Sequence, residues 1–438
     1  MSNDLTISEK LFDYYDKFRT YANIAVHILP YGKFSFGTET IRGVPLRVWK
    51  TLPPALGNYY KPFFQQYSTQ VWLVYENDRL TFGQALHQYE ALGAELFENP
   101  LFNVQPGDRV GICMRNFPEL LVSFLAVTAA GGVAIPLNAM WGSEELEYAM
   151  GDADCTVLIA DPERMNLVTP FINKSNFHFK TILVKSESSK TNVTARVDAL
   201  WADVITAGAL KVQQHPQNVL KRMSRIQAED EAMIMYTSGS TGFPKGVVHT
   251  QRSVGTAMKI GELQGVAMPT VEPPCQLMAV PLFHITALCP VGLMSICIGS
   301  KVIMMRKWDA GLGLKIIEKE RVTNFTGVPT MMIDLMRHPD FDPIKVSSLK
   351  NVIAGGAPVP PSQVAEMRKK TKQVSSGQGY GLTETMALGT VSVKRVILKI
   401  CFLVFLFSSY FSYFSYFSYF YSFVLFSILY HVVSFLYN

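Results

Sequence analysis

The chain has 438 residues, 48% of them apolar, with 40 lysines and arginines against 35 aspartates and glutamates for a formal charge of +5. That length exceeds one small core and implies a large domain or two to three subdomains. The basic residues are scattered, without a stripe or interleaved aromatics, so no nucleic-acid partner is expected.

The six cysteines, Cys113, Cys155, Cys275, Cys289, Cys297 and Cys401, form no C-x-x-C pair and mostly sit in apolar runs. They read as reduced core residues of a cytoplasmic protein. The polar start M-S-N-D-L-T-I-S-E-K lacks the layout of a secretory signal, which leaves the sequons at Asn173 and Asn192 as chance matches.

The first strand and helix are V-W-L-V-Y-E from Val71 and F-G-Q-A-L-H-Q-Y-E-A-L-G-A-E-L from Phe82. R-V-G-I-C-M from Arg109 reads as a strand and P-E-L-L-V-S-F-L-A-V-T-A-A-G-G from Pro118 as a helix, with proline in its first turn and glycine past its end. V-A-I-P-L-N is the next strand. Ser143 is the expected N-cap of a helix with Glu144 and Glu145 in its first turn, and C-T-V-L-I-A-D from Cys155 returns as a strand. Runs apolar on both faces, separated by helices, predict an α/β fold of mostly parallel sheets flanked by helices. The polar stretch Lys185 to Ala228 reads as a connector between two such layered units. Further strands are expected at A-M-I-M-Y-T, A-V-P-L, K-V-I-M-M, N-F-T-G-V and L-K-N-V-I-A.

The strand A-M-I-M-Y ends at Thr237, and Y-T-S-G-S-T-G-F-P-K-G follows through residues 236–246. Glycines at 239 and 242 permit backbone conformations closed to other residues. The amides of such a loop, the hydroxyls of Thr237, Ser238, Ser240 and Thr241, and the Lys245 ammonium make a cradle suited to a polyphosphate. It is not a Walker loop, because glycine rather than serine or threonine follows the lysine.

This loop resembles the phosphate loop of the adenylate-forming superfamily of acyl-CoA synthetases, luciferases and peptide-synthetase adenylation domains. The resemblance continues in order through P-L-F-H from Pro281, G-V-P-T from Gly327, G-G-A-P from Gly355 and G-Y-G-L-T-E from Gly379. It covers roughly residues 40 to 390. G-G-A-P follows an apolar strand, so Gly355, Gly356, Ala357 and Pro358 lie at a carboxyl end, where parallel sheets bind ligands. Beside Gly379 and Gly381, Tyr380 offers a ring for which the resemblance implies stacking on adenine. Thr383 and Glu384 supply hard oxygen donors for Mg2+ on a phosphate. The resemblance implies catalytic roles for Lys245, His284 and Glu384, with Glu384 also the metal ligand. The implied reaction forms acyl-AMP and pyrophosphate from a carboxylic acid and ATP, then passes the acyl group to a thiol, usually coenzyme A.

Amino-acid-activating relatives typically carry aspartate after the phenylalanine of P-L-F-H, to pair with the substrate ammonium. Here Phe283 precedes His284, so an acid without an α-amine is expected, with His284 at the carboxylate end of its pocket. Ile285, Leu288, Met331, Met332 and the Gly355 region are the apolar pocket candidates, suited equally to aliphatic and aryl acids. His249, His87 and His338 read as structural.

Departure from the family is expected near Val391. The relatives' T-G-D aspartate and C-terminal lid lysine are not found, and Ile400 to Asn438 contains no Asp, Glu, Lys or Arg. As one helix that tail would span about 58 Å, nearly twice a bilayer core of ~30 Å. Lys394, Arg395 and Lys399 precede it as they would a membrane anchor. Four consecutive S-Y-F triplets from Ser409 have period three, which fits neither helix nor strand, and favour translated non-coding sequence over an anchor or a buried helix. The domain plan is therefore an N-terminal extension at 1–39, the large adenylate-forming domain at 40–391 and the tail at 396–438. The expected activity is an impaired acid–thiol ligase, with a membrane-tethered, non-catalytic binder of acyl groups or nucleotide as the alternative.

Overall fold

The computed structural model describes residues 32–393, apart from 176, 186–191, 238–241, 268–273 and 372–373. Two large sheets organise it. The first has seven strands in the order Lys245–Thr250, Glu231–Thr237, Val133–Pro136, Arg109–Cys113, Cys155–Ala160, Lys180–Leu183 and Ala199–Leu200. Its strands run parallel, except that the first two form an antiparallel hairpin at one edge. The central runs are buried along nearly their whole length, which explains their lack of polar alternation.

The second sheet has eight strands: Thr390–Val393, Ser375–Tyr380, Asn351–Ala354, Asn324–Gly327, Cys275–Met278, Lys301–Met304, Val71–Tyr75 and Asp78–Thr81. It is parallel inside and antiparallel at both edges. The two layered units are thus not consecutive stretches of chain divided by a connector. The early hairpin 71–81 completes the second sheet, where Leu73 pairs with Val302, and the later hairpin 231–250 completes the first.

The supposed connector also differs from expectation. It contains two helices, Trp201–Gln214 and Pro216–Met223. The first lies against helix Phe82–Glu98 so closely that a Cβ on Gly208 would sit 1.9 Å from the Ala91 carbonyl oxygen. Lys211 pairs with Glu95 at 2.6 Å and Arg222 with Glu98 at 2.9 Å, which fastens both helices to the same partner. A-V-P-L is not a strand. The strand ends at Met278, and Ala279–Leu282 is the turn leaving its carboxyl end. Gly142 rather than Ser143 caps the helix Ser143–Asp152: its N–H donates to Glu145 Oε2 at 3.0 Å, while the Ser143 hydroxyl donates to the Leu167 carbonyl at 2.7 Å.

One hydrophobic core bridges the two sheets, and Trp72 lies fully buried within it. The ring of Trp72 stacks on Phe82 and meets Phe64 edge-on, while its N–H donates to Ser295 Oγ at 2.9 Å. A buried polar tie joins the sheets as well. Asn116, just past the strand Arg109–Cys113, donates to the carbonyls of Val280 and Met305 at 3.0 and 3.1 Å and accepts from the Leu282 N–H at 2.8 Å. A second polar group inside the core is Glu262, bonded to Lys259 and Tyr59 at 2.8 Å each and to Lys33 at 2.5 Å. Burial alone would raise its carboxyl pKa, but these three partners outweigh burial and hold it below the usual carboxylate range. Among the described residues no helix is long and apolar enough to cross a membrane. The tail at 396–438 lies outside the described residues.

Asn116→Ala strands three buried backbone groups and is expected to cost about 3 kcal/mol, seen as a lower urea midpoint at unchanged slope. Glu262→Gln leaves Lys259 buried without a counter-charge, an expected loss of about 3–5 kcal/mol at pH 7. The folded pKa of Glu262 lies below the unfolded one, so its contribution is complete above the unfolded carboxylate value near ~4.3 and fades as pH falls through the folded value. The gap between wild type and Glu262→Gln should therefore narrow in urea titrations repeated on the acid side of that range.

Candidate functional site

The hairpin at the edge of the first sheet is held firmly on both sides of its tip. Tyr236, next to last in the strand Glu231–Thr237, donates its hydroxyl to Asp152 Oδ2 at 2.6 Å and packs edge-on against Trp141. Across the tip, Phe243 stacks on Tyr148 with ring centroids 4.4 Å apart and planes 18° from parallel. Both contacts come from the helix Ser143–Asp152 and the turn before it. Between them, Thr237 Oγ1 donates to the Lys245 carbonyl at 3.4 Å, and Gly242 adopts φ +137°, a conformation that side chains rarely tolerate. Lys245 and Gly242 are exposed. Ser238, Gly239, Ser240 and Thr241, the tip itself, lie outside the described residues.

The carboxyl ends of three neighbouring strands of the second sheet carry the other predicted elements. Gly355 donates its N–H to the Gly327 carbonyl at 3.0 Å, and a Cβ on Gly355 would stand 3.0 Å from the Gly379 carbonyl oxygen. G-V-P-T, G-G-A-P and G-Y-G are therefore adjacent in space. The glycine at 355 permits the close approach of Gly379. Gly356 has φ +79° and only Val328 near its missing side chain, while Ala357 and Pro358 are exposed beside it. Tyr380 is 61% exposed, so its ring is open to a planar partner.

After Gly381 the chain makes the short 3-10 turn Thr383–Thr385, with Met386 and Ala387 in left-handed conformations. Any Cβ on Gly381 would fall 2.2 Å from the Ala387 carbonyl oxygen, so only glycine lets this turn close. Glu384 is exposed on the turn and Thr383 partly so. The turn is tied to the first sheet by His249, buried on the strand Lys245–Thr250, whose Nε2 lies 2.9 Å from the Thr383 carbonyl oxygen. Because that oxygen can only accept, Nε2 carries the proton. Burial lowers the pKa of His249, against the opposing pull of the Thr383 hydrogen bond and the Glu384 charge.

P-L-F-H is placed by the Asn116 tie, since Leu282 bonds Asn116 directly. Phe283 is buried and its ring lies 4.9 Å from that of His284, which is exposed. Partial burial lowers the His284 pKa. Ile285 and Leu288 are built into the core and lead into a π-helix, Ala287–Leu293, that contains Pro290. Widened helical turns of this kind often mark functional positions. Met332 is buried in the second sheet's own core and Met331 borders both cores, so these two residues act first as packing.

No cluster of three or more His, Cys, Asp or Glu that could hold a metal occurs among the described residues. Glu384 with Thr383 matches the way Mg2+ is usually held, by one or two carboxylates together with substrate phosphates rather than by a protein cage. Sequence reasoning did not assign His249, Asn116 or Tyr148 to the site. Nothing in the local sequence around these three residues points to the contacts they make. Gly381→Ala is expected to cost about 2 kcal/mol or more through overpacking against backbone, seen as a lower urea midpoint.

The AMP-binding enzyme family profile matches residues 63–399. The long-chain-fatty-acid–CoA ligase of Bacillus subtilis (strain 168) is 31% identical over 324 residues, covering 70% of this chain and 56% of the ligase. A feruloyl-CoA synthase from Amycolatopsis sp is 33% identical over 282 residues, covering 64% of this chain and 50% of the synthase. The chain thus spans about half the length of the curated relatives it matches. Among solved structures, the inhibitor-bound N-terminal domain of FACL13 from Mycobacterium tuberculosis superposes with TM-score 0.62 at 23% identity, over 80% of this chain and 81% of that one. The anthranilate CoA ligase AuaEII with anthranoyl-AMP gives TM-score 0.66 at 18% identity, over 78% and 62%. These likenesses establish the fold as that of the N-terminal domain of adenylate-forming enzymes, and with a family match running through more than half of its length, the chain belongs to the AMP-binding enzyme family.

Proposed function

We propose that these residues bind ATP and a carboxylic acid and join them as an acyl-adenylate. A carboxylate oxygen attacks the α-phosphorus, the bond from that phosphorus to the bridging oxygen of pyrophosphate breaks, and pyrophosphate leaves. One observation carries the reading: the hairpin bearing Lys245 and the turn bearing Glu384 come from different sheets yet are joined by the 2.9 Å contact of His249 with Thr383. That contact ties the turn bearing Glu384 to the strand that begins at Lys245, which supports reading the two as parts of one site. Tyr380, 61% exposed beside the G-G-A-P strand end, offers its ring to the adenine. Glu384 and Thr383 would hold Mg2+, which when bound supplies charge neutralisation to the phosphates. His284, which is exposed, would border the acid's carboxylate.

The acid class rests on P-L-F-H and on relatives that act on long-chain fatty acids and on ferulate. A fatty or aryl acid without an α-amine fits both. Coenzyme A is the proposed acceptor of the acyl group in the complete cycle.

The test is acid-dependent pyrophosphate release from ATP. Lys245→Ala should lower it about 10²-fold, the loss of roughly 3 kcal/mol typical of one electrostatic donor at a transition state. Release that is absent in the wild type, with acyl or nucleotide binding intact, would instead favour a non-catalytic binder.

A further inference from the structure

We propose that His249 is a positioning residue that locks the Thr383–Thr385 turn to the phosphate hairpin, and thereby sets Thr383 and Glu384 where a magnesium–nucleotide meets them. The inference rests on the nucleotide reading above and adds a residue and a coupling to it.

Side chains along a strand alternate between faces, so residues 245, 247 and 249 of the strand Lys245–Thr250 share one. The face that presents Lys245 to solvent at one end therefore carries His249 inward at the other, 4% exposed. The turn it reaches is 134 residues away in sequence. Within itself the turn is well bonded: Met386 donates to Thr383 O at 3.1 Å and Ala387 to Leu382 O at 2.9 Å. It is a small closed unit between the paired strands Ser375–Tyr380 and Thr390–Val393, and an outside contact fixes it against the first sheet. The His249 imidazole makes that contact by donating to the second lone pair of the Thr383 carbonyl. With the Nε2 proton committed there, Nδ1 is left to accept, and Ser253 Oγ stands 3.4 Å from it and 3.0 Å from the Thr250 carbonyl. The serine hydroxyl proton, divided between those two acceptors, favours the tautomer that the Thr383 bond requires. Outer partners of this kind orient ligands without touching the ion.

ATP binding measured by calorimetry with Mg2+ and again with a chelator, for wild type, His249→Ala and His249→Gln, tests this. The wild type should gain affinity from Mg2+. In His249→Ala that gain should fall about tenfold, the lower end of the usual effect of losing such an outer partner, while chelator affinity stays as in wild type. His249→Gln, whose amide can donate to Thr383 O, should restore most of the gain. Backbone amides at 382–387 should exchange faster in His249→Ala without any nucleotide. Should that variant not fold, His249→Asn, too short to reach the carbonyl, takes its place against the glutamine. A full Mg2+ gain in the shortened variants, or equal loss in alanine and glutamine variants with and without Mg2+, overturns the proposal and leaves the nucleotide reading standing. No ATP binding by the wild type overturns the nucleotide reading and this coupling with it.

Discussion

Three hydrogen bonds made by one buried amide hold the two halves of the fold in register. Asn116 leaves the first sheet at the carboxyl end of its Arg109–Cys113 strand and spends its whole side chain on the backbone of the second: two carbonyls, Val280 and Met305, and one amide, Leu282. Those groups sit at the ends of neighbouring strands, where the ladder stops and the backbone would otherwise lack partners. An aspartate would match only the amide, and an alanine none of them. Because Leu282 begins the turn that presents Phe283 and His284, the packing of the sheets and the placing of the proposed acid pocket are one problem with one solution.

The strands of this fold were readable because burial on both faces leaves a plain signature in valine, isoleucine and leucine. Membership of a sheet was not. V-W-L-V-Y reads as a strand from its own residues, but its partner at 301–304 is chosen by tertiary packing that no local pattern encodes. The helix Trp201–Gln214 escaped notice for a different reason. It buries only Val204 and Gly208, a stripe too narrow to show as periodicity, and its close contact depends on a glycine, a residue that argues against a helix when read alone.

The site divides along the same line. Glycine-rich turns at strand ends were legible, since few residue types permit such backbone, and Gly242, Gly356 and Gly381 are each demanded by conformation or by contact. What joins those turns was hidden. His249 looks like an ordinary strand residue until Thr383 is folded against it, and the nearness of Gly379 to Gly355 shows only once the strands are paired. Local sequence reports what each segment can become, whereas contacts across more than a hundred residues report what the segments do together.

The position of the Val71–Tyr75 hairpin has a consequence for how the chain is made. Trp72 finds its partner Ser295 only after 223 further positions have been added. At about 5–20 residues per second, a ribosome takes roughly 10 to 45 s to deliver them. For that interval a strand of five mostly apolar residues, with an open edge and a large indole, has no sheet to join. Nascent chains of this protein therefore carry an aggregation-prone segment while those 223 residues are made, and the yield of folded protein in cells should depend on chaperones that cover it.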